Sequence, residues 1–454
     1  MQEAQTRDHS RTRPVSSRFH LFGYDDETAL LDVESGWVQY IPAAHADLIS
    51  IQLTSGDIAR AEITAAGLGF LKASPPERGV PQSVPLKALS LSIAQKCNLG
   101  CTYCYAEQGG FGGKMVDMPQ SVVRQSVDQL FEDIVPGDRV TLGFMGGEPL
   151  ASRKALHDAA HYAAAKATEK NAAIGFSLTT NATLLRDEDI ALFQKYHFTL
   201  NVSLDGLGGT NDALRPFRSG KGTFAIVAKN IERLLATPDR RFVVGARATI
   251  TPYNIDLCTT LNGLIEMGLD SVMFSPMLSA PNGKAEMEAS DFETFLDQLR
   301  LCGELFEEQL THQRVLPFTN VISMLRRIHT YRRDEYPCGA GGGYMSVSAK
   351  GELYACHRFV NDEVGLMGNV RDGVDPLLQR DWLEERNLRQ QSPCQTCWAR
   401  YLCSGSCHYE VINRGRPACD YIRGWADYCL GLYARMTRHH PELLERILLT
   451  GPHE

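Results

Sequence analysis

One stretch of eight residues decides the predicted fold: Cys97-Asn98-Leu99-Gly100-Cys101-Thr102-Tyr103-Cys104. The alternating run before it, residues 88–94, predicts a strand, so the three cysteines occupy a short loop at the strand's end. Three thiolates in this C-x3-C-x2-C spacing can hold three irons of a [4Fe–4S] cluster and leave the fourth iron open to bind a small molecule. The alternative is a structural zinc site, which normally has four ligands with paired C-x2-C spacing or His, and no His lies near this loop.

The composition is that of a globular protein with a large core. The chain has 454 residues, enough for two or three domains, with 43% hydrophobic and 22% charged residues. A formal net charge of -8 disfavours nucleic acid or an acidic membrane as partner, and no apolar run is long enough to span a bilayer. Residues 1–18 are polar, which predicts a disordered lead-in and no secretory signal. Thirteen cysteines without an export signal then indicate metal ligation in a reducing, cytoplasmic location.

Residues 19–82 are predicted to form a small, separate α+β module. Short strands are predicted at 20–22, 29–33 and 37–41, followed by helices at 43–51 and 58–66. Glu34-Ser35-Gly36 provides a turn between two of the strands, and residues 74–85, with four prolines, are predicted to be a linker. This order of elements resembles the winged-helix modules that hold leader peptides during ribosomal peptide maturation. A plain cap on the next domain is the alternative.

Residues 83–336 alternate between predicted strands and predicted helices. The strands are expected at 88–94, 139–145, 174–180, 198–204, 242–250 and 271–275. The helices are expected at 119–133, 154–168, 187–196, 223–236, 255–267 and 291–311. Six strand-then-helix units predict a parallel α/β sheet, whose right-handed crossovers bring the strand C-termini, and hence a site, to one rim.

Motifs at this rim resemble those of the radical S-adenosylmethionine (radical SAM) superfamily. They are the triple-cysteine loop, with Tyr103 just before its last cysteine, and Gly146-Gly147-Glu148-Pro149 after the second strand. The resemblance implies an open, TIM-like (β/α)6 partial barrel. It also implies that Cys97, Cys101 and Cys104 hold a [4Fe–4S] cluster whose open iron chelates S-adenosyl-L-methionine, and that a 5′-deoxyadenosyl radical abstracts a hydrogen atom from a substrate. Tyr103 would then lie against the adenine, and the G-G-E-P motif would hold the methionyl amino group.

Polar residues after the third and fourth strands are further candidates for cofactor binding. Asn181 ends T-T-N, and Ser203 and Asp205 belong to N-V-S-L-D-G. Such side chains at strand C-termini can bond ribose hydroxyls and the other polar ends of a nucleoside cofactor. Arg215, a little further on, can pair with the methionyl carboxylate. Capping of the local loop is the alternative for each of them.

Residues 337–454 form a predicted irregular domain that contains eight of the thirteen cysteines. They are Cys338, Cys356, Cys394, Cys397, Cys403, Cys407, Cys419 and Cys429. The pattern resembles the seven-cysteine SPASM domain, an auxiliary-cluster domain of radical enzymes that modify peptides or proteins. Zinc at Cys394 and Cys397 is the alternative. A helix is predicted from Tyr421 toward Leu449.

The SPASM resemblance implies two auxiliary [4Fe–4S] clusters with interleaved ligands. One would be held by Cys394, Cys397, Cys403 and Cys429. The other would be held by Cys338, Cys356 and Cys407, which leaves one of its irons without a protein thiolate, and that iron could bind a substrate thiolate and lower its pKa. Cys419 is a candidate either for closing that cluster or for the place of Cys429. Cys429 is preferred because it precedes a helical stretch, as the family's last cysteine does.

Three segments narrow the resemblance to one kind of enzyme. Cys338-Gly339-Ala340-Gly341-Gly342-Gly343, Cys356-His357-Arg358-Phe359 and Phe111-Gly112-Gly113 resemble those of maturases that build thioether cross-links in ribosomally made peptides or small protein subunits. Sulfatase-maturing relatives typically carry an acid where this chain has His357, which weakens that alternative. His357 could act as a catalytic base, or it could be a structural histidine beside a cluster.

The predicted function is therefore that of a radical SAM oxidoreductase that joins a cysteine sulfur to a carbon of another residue in a peptide or small protein. The expected partner besides the substrate is a reductant such as flavodoxin or ferredoxin. Formylglycine formation and carbon–carbon cross-linking are alternatives among enzymes. A non-radical electron-transfer protein is the alternative of another class, but electron carriers usually complete four-cysteine ligation. Cys258 and Cys302 lie in apolar helix patterns and are predicted to be core residues.

Overall fold

The computed structural model of the chain describes residues 18–69, 79–81 and 83–449, so the predicted lead-in before residue 18 and half of the predicted linker lie outside the described residues. The chain begins with an antiparallel sheet of order β1-β2-β3, followed by two helices. These elements are β1 (Phe19–Tyr24), β2 (Glu27–Asp32), β3 (Trp37–Ile41), α1 (Ala43–Thr54) and α2 (Ile58–Gly67). All five were predicted. The turn before β3 forms because Asp32 accepts hydrogen bonds from Glu34 N (3.0 Å) and Ser35 Oγ (2.9 Å).

The middle of the chain contains every strand and helix predicted for it. The strands are β4 (Ala88–Gln95), β5 (Val116–Asp117), β6 (Arg139–Gly146), β7 (Ala173–Thr180), β8 (Thr199–Ser203), β9 (Val243–Ile250) and β10 (Ser271–Pro276). The helices are α3 (Gln120–Leu130), α4 (Arg153–Glu169), α5 (Asp187–Tyr196), α6 (Gly208–Leu214), α7 (Phe224–Leu235), α8 (Leu257–Glu266), α9 (Ala289–Thr311) and α10 (Thr319–Thr330). Six of the strands are parallel, in the order β10-β9-β8-β7-β6-β4.

The parallel sheet stays open in the part of the chain that the structure describes, and it continues into the cysteine-rich region. Beyond β4 come β11 (Tyr344–Val347), β12 (Glu352–Tyr354), β13 (Leu366–Asn369) and β14 (Gly373–Val374). Strand β11 is parallel to β4 and was not predicted, because four residues after a glycine-rich segment carry little periodicity. The pairing starts at Gly343, whose carbonyl accepts hydrogen bonds from the N–H groups of Lys87 and Ala88, both at 2.8 Å.

The last helices correct one prediction. They are α11 (Pro376–Arg386), α12 (Arg400–Cys403), α13 (His408–Arg414), α14 (Cys419–His439) and α15 (Pro441–Leu449). The single helix predicted from Tyr421 toward Leu449 is wrong in two respects, since α14 begins at Cys419 and the helix is broken at His440. Pro441 explains the break, because it lacks an N–H group and disfavours helical geometry at the residue before it.

The N-terminal module packs against α14 and the cysteine-rich region. Glu34 receives ion pairs from Arg333 (2.7 Å) and from Arg400, and the hydroxyl of Tyr331 donates to the carbonyl of Val33 at 2.8 Å. These partly buried, charge-assisted contacts tie the turn between β2 and β3 to residues next to the cysteines. The module is therefore fixed against the region that contains the cysteine groups.

Candidate active site and cysteine groups

The triple-cysteine loop is held against the segment that follows α6. Gly100 N donates to Pro216 O (2.8 Å) and Thr102 N donates to Leu214 O (3.1 Å), so two backbone bonds fix the loop. Burial raises the pKa of Cys97 to about 12 and that of Cys101 to about 11. The thiols are therefore protonated unless a metal displaces the protons, which is the coupling expected of metal ligands.

The G-G-E-P motif lies against the start of this loop, and its glycines have a steric purpose. A Cβ on Gly147 would lie 2.3 Å from Lys96 O, and one on Gly146, where φ is +129°, would lie 2.5 Å from Ala94 O. Both residues must be glycine because the end of β6 and the residue after it lie in direct contact with the backbone at the end of β4 and of Lys96. The motif was predicted to hold the methionyl amino group; what the structure shows is that it packs the end of the second strand against the start of the cysteine loop.

Glu148 is fully buried and links the ends of two strands. Its carboxylate accepts hydrogen bonds from Leu150 N (2.9 Å), Thr180 Oγ1 (2.7 Å) and Asn181 N (2.7 Å). Burial raises the pKa of Glu148, and these hydrogen bonds oppose that shift. Pro149 starts the turn that follows and is buried. The carboxylate is thus used inside the protein, and the backbone of the motif is what remains for a ligand.

Asn181 lies beside the first cysteine of the loop. Its side-chain amide donates to Cys97 Sγ at 3.7 Å and to Asn98 Oδ1 at 3.0 Å. Ser203, at the end of β8, is half-buried and pairs in the sheet with Arg247 of β9. The strand ends therefore bring Asn181 directly to the cysteine loop.

Tyr103, Asp205 and Arg215 form one buried group. The hydroxyl of Tyr103 donates to Asp205, Arg215 Nη1 donates to that hydroxyl at 2.6 Å, and the Arg215 and Asp205 side chains are 3.6 Å apart. The second oxygen of Asp205 accepts from Thr249 N at 2.8 Å. Asp205, predicted to bind the cofactor, has both oxygens occupied by protein donors. Its role in the structure is to fix Tyr103, the residue inside the cysteine loop.

Four cysteines of the C-terminal region form a group that corrects the sequence prediction. Cys394, Cys397, Cys403 and Cys419 line one small cavity, together with Arg416 and Arg423. Burial raises the pKa of Cys403 to about 11. It also raises the pKa of Cys394 and of Cys419, and for these two the positive charges of Arg416 and Arg423 partly oppose the shift. The predicted fourth member, Cys429, is not among them.

Cys429 lies ten residues beyond Cys419 on the same helix, which corresponds to about 15 Å along the helix axis. Its side chain is 0% exposed and packs in the hydrophobic core. The sequence could not distinguish the two cysteines, because the choice depends on where α14 begins. The structure places Cys419 with the other three cysteines and Cys429 in the core.

The remaining three cysteines form a second group. Burial raises the pKa of Cys356 to about 12, and charge interactions with Cys407 and Cys338 raise it as well. No further cysteine joins these three in the described part of the chain, since Cys419 belongs to the other group. The separation into three and four cysteines is the main feature of this region.

His357 lies next to the three-cysteine group. Burial lowers the pKa of His357 to about 3, assisted by the charges of Arg358 and Arg247. Its Nδ1 is 3.1 Å from the hydroxyl of Tyr344, which in turn contacts Ser90 Oγ at 2.9 Å. A neutral imidazole with so low a pKa is a weak base, so the structural interpretation of His357 is the better one.

The cysteine groups fit iron–sulfur clusters better than single ions. All thirteen cysteines are free thiols. Within the described ranges, no three His, Cys, Asp or Glu side chains are placed to hold one metal ion. A four-iron cluster needs its thiolates distributed over separate irons. Arginines near each group can balance the negative charge of bound thiolates.

The structure confirms one prediction about helix cysteines and contains one residue that the sequence analysis missed. Cys258 and Cys302 were predicted to be core residues, and their Sγ atoms lie 3.6 Å apart between α8 and α9, with Cys302 buried. Arg247 was missed, although an arginine inside the apolar run 243–250 is an available signal. Such a residue in a central strand must face either a partner or an open space.

Comparisons with known proteins identify the parallel-sheet region in the middle of the chain. The family model described as the Radical SAM superfamily matches residues 91–243. A serine-type anaerobic sulfatase-maturating enzyme of Klebsiella aerogenes is 25% identical over 365 residues, covering 76% of this chain and 85% of that protein. A cysteine-type anaerobic sulfatase-maturating enzyme of Clostridium novyi is 25% identical over 361 residues, covering 71% and 88%. The structure of native anSMEcpe with bound AdoMet has a TM-score of 0.65 at 17% identity and covers 78% and 100% of the two chains.

These matches confirm the resemblance to the radical SAM superfamily. Residues 91–243 contain a radical SAM domain, so the chain is an enzyme with a [4Fe–4S] cluster and S-adenosyl-L-methionine as cofactors. The structural likeness confirms the predicted open, mixed α/β architecture. No helix in the described ranges is both long enough and apolar enough to cross a membrane.

Proposed function

We propose that this radical SAM enzyme modifies a ribosomally made peptide or small protein, and that it joins a substrate cysteine sulfur to a carbon of another residue. The observation that supports this is the separation of the C-terminal cysteines. Cys394, Cys397, Cys403 and Cys419 provide a complete set for one auxiliary cluster, whereas Cys338, Cys356 and Cys407 provide three ligands for the other. A substrate thiolate would complete the second set, which would keep the sulfur deprotonated and close to the radical site.

The residues of the chain have separate roles in this proposal. When bound, the first cluster and S-adenosyl-L-methionine supply a radical able to abstract a hydrogen atom. Cys97, Cys101 and Cys104 would hold that cluster, and Asn181, next to Cys97, would bind the cofactor's polar end. The buried group of Tyr103, Asp205 and Arg215 would keep the loop in one conformation and present a guanidinium to the cofactor carboxylate.

We propose domain boundaries of 19–82, 83–336 and 337–454, with the first domain binding a leader peptide. Strand β3 is at the edge of its sheet in the described residues, and two of its own apolar side chains, Trp37 and Tyr40, are exposed. An extended peptide can add to such an edge by β-augmentation. Since the module contacts the cysteine-rich region through Glu34, a bound leader would direct the following substrate residues toward the cysteine groups.

Sulfatase maturation is the second candidate function, because the relatives compared above are named for it. The environment of His357 argues against it. The position that carries an acid in that family is a neutral histidine here, with a pKa lowered to about 3 by burial. A reaction that needs a carboxylate as base at this position is therefore disfavoured, because this chain has none there.

Co-expression with a cysteine-containing peptide encoded beside this gene tests the proposal. A thioether would appear as a loss of two hydrogens that blocks thiol alkylation, and a Cys→Ser peptide should remain unmodified. Formylglycine would instead react with a hydrazide and leave the remaining cysteines alkylatable. A hydrazide-reactive product that has lost the sulfur of the reacting cysteine, instead of keeping it and losing two hydrogens, would reject the thioether proposal in favour of sulfatase-type chemistry.

A further inference from the structure

The open side of the parallel sheet contains an arginine without a partner. Arg247 pairs in register with Ser203 on β8 and with Met273 on β10, so the three side chains share one face of the sheet. The other face holds Ala246 and Ala248, which are buried in the main core. Arg247 is solvent-accessible, and Met273 beside it is 37% exposed. Arg247 therefore projects into the open lumen of the partial barrel.

The surroundings of Arg247 place it between two chemically important regions. The pKa of Arg247 is shifted by charge interactions with three nearby groups, Tyr105, Arg358 and Cys407. Tyr105 directly follows the triple-cysteine loop, and Cys407 belongs to the three-cysteine group. The surrounding protein partly desolvates Arg247 and so lowers its pKa, although the side chain is still accessible to water. The guanidinium nevertheless stays charged at neutral pH. The lumen thus contains a fixed positive charge between the two cysteine groups.

The neighbouring arginines already have partners, which distinguishes Arg247 from them. Arg215 bonds Tyr103 and lies 3.6 Å from Asp205. Arg358 pairs with Glu410 and donates to Ser279 O at 3.0 Å. Among the residues that the structure describes, the Arg247 side chain has no hydrogen bond and no ion pair. A partly desolvated guanidinium without a counter-charge is unfavourable by itself, so an anionic ligand would stabilise it.

We propose that Arg247 binds a carboxylate of the peptide substrate in the lumen of the partial barrel. This inference rests on the proposed function, because it concerns the substrate of the same site. A guanidinium binds a carboxylate through two parallel hydrogen bonds, which fixes orientation as well as position. The substrate class is then a peptide with an acidic residue, or a free C-terminal carboxylate, close to the cysteine that reacts.

The cofactor's own carboxylate fits Arg247 less well. The guanidinium that acts on the charge of Cys101, in the first cysteine group, is that of Arg215. The groups that influence the pKa of Arg247 are Tyr105, after the first cysteine loop, then Arg358, then Cys407 of the three-cysteine group, and Cys101 is not among them. The positions of both arginines are explained if Arg215 binds the carboxylate of the cofactor and Arg247 binds a carboxylate of the substrate.

Arginine modification tests the proposal without any turnover. The iron-loaded protein is treated anaerobically with phenylglyoxal, and modification of Arg247 is measured by peptide mass spectrometry, with the exposed Arg314 after α9 as internal reference. At ten times its Kd, succinate should slow the modification of Arg247 about tenfold, whereas its neutral analogue succinamide should not. Arg314 should react equally with both.

Several results would overturn the assignment. They are failure of Arg247 to react without a probe, equal reaction with succinate and succinamide, and full protection by S-adenosyl-L-methionine alone. Protection that depends only on iron loading would identify Arg247 as a counter-charge of the cluster and would also reject the proposal.

Peptide probes identify the source of the carboxylate. Three pentapeptides are compared in the same assay. The first contains Cys and Asp and the second contains Cys and Asn, both with blocked termini, and the third contains Cys and Asn with a free C-terminus. Protection by the first indicates a side-chain carboxylate, protection by the third indicates the C-terminus, and protection by none refutes the proposal. Arg247→Gln should weaken binding of the protecting peptide at least about tenfold, Arg247→Lys less so, and Arg314→Gln not at all.

The two proposals fail separately. If carboxylates protect Arg247 from modification but no thioether forms, the proposed function is rejected and the carboxylate site is retained. A chain that cross-links peptides without any carboxylate, and shows no protection, keeps the function and loses this site.

Discussion

Replacing Cys419 by Ser removes one thiol from the group formed with Cys394, Cys397 and Cys403. If each of the three cysteine groups holds a [4Fe–4S] cluster, the loaded protein contains about twelve irons, and Cys419→Ser should reduce this to about eight. The Cys338, Cys356 and Cys407 group should be unaffected, because it lacks Cys419.

Cys429→Ser is the matched control, since it changes the same atom on the same helix about 15 Å away. Its iron content should stay at about twelve. Its stability should fall instead, by about 1–3 kcal/mol, because the side chain is 0% exposed and a serine hydroxyl would be buried in an apolar site. The two variants thus separate loss of a ligand from loss of core packing.

Iron is measured colorimetrically per protein after anaerobic reconstitution, and the clusters are counted by Mössbauer spectroscopy. Stability is measured by urea unfolding of the metal-free proteins, so that cluster loss does not contribute. Loss of about four irons, one cluster, in Cys429→Ser with none in Cys419→Ser would refute the assignment and restore the order of ligands inferred from sequence.

Three further predictions concern other parts of the chain. Replacing the three cysteines of residues 97–104 by Ala should remove about a third of the iron and all cleavage of S-adenosyl-L-methionine, measured as 5′-deoxyadenosine by chromatography; surviving cleavage would contradict the cluster assignment. Gly147→Ala should lower the melting temperature and iron occupancy, because its Cβ would lie 2.3 Å from Lys96 O; unchanged values would show that the backbone relaxes without cost. Asp189→Asn should destabilise the protein at pH 7 and have little effect once the pH has fallen below the lowered pKa of Asp189, as followed by urea unfolding across pH. Burial alone would raise the pKa of Asp189, but its hydrogen bonds, that with His157 first among them, outweigh this effect and lower the pKa. The stabilisation that the charged carboxylate contributes is therefore present above the unfolded-state pKa and is lost as the pH falls through the lower, folded-state pKa.

Periodicity predicted the elements that position the site, because each strand of the parallel sheet is an apolar run followed by an amphipathic helix. Strand β11 escaped prediction because its four residues gain their stability from pairing with β4, a contact that is not visible in the sequence. The break at His440 could have been predicted, since Pro441 is a sufficient local signal.

The site was less predictable than the fold, because spacing identifies cysteines without showing which of them meet. Cys419 and Cys429 are both compatible with the motif, and only the start of α14 distinguishes them. Asp205 has the right position for a ligand contact, but three-dimensional packing gives its oxygens to Tyr103 and Thr249. A polar residue at a strand end therefore predicts a location, and its partner depends on neighbouring loops.

The arginines give an independent indication of how the cysteine groups are used. Arg215 acts on Cys101, Arg358 acts on Cys356, and Arg416 acts on Cys394, so each group has a guanidinium nearby. Thiolates carry negative charge when they bind iron, and buried negative charge requires such compensation. Arg358 and Arg215 are in addition paired with carboxylates of the chain. Arg247 is influenced by Cys407 but has no such carboxylate in the described residues, and this difference from Arg215 and Arg358 is the reason for proposing that a substrate carboxylate binds there.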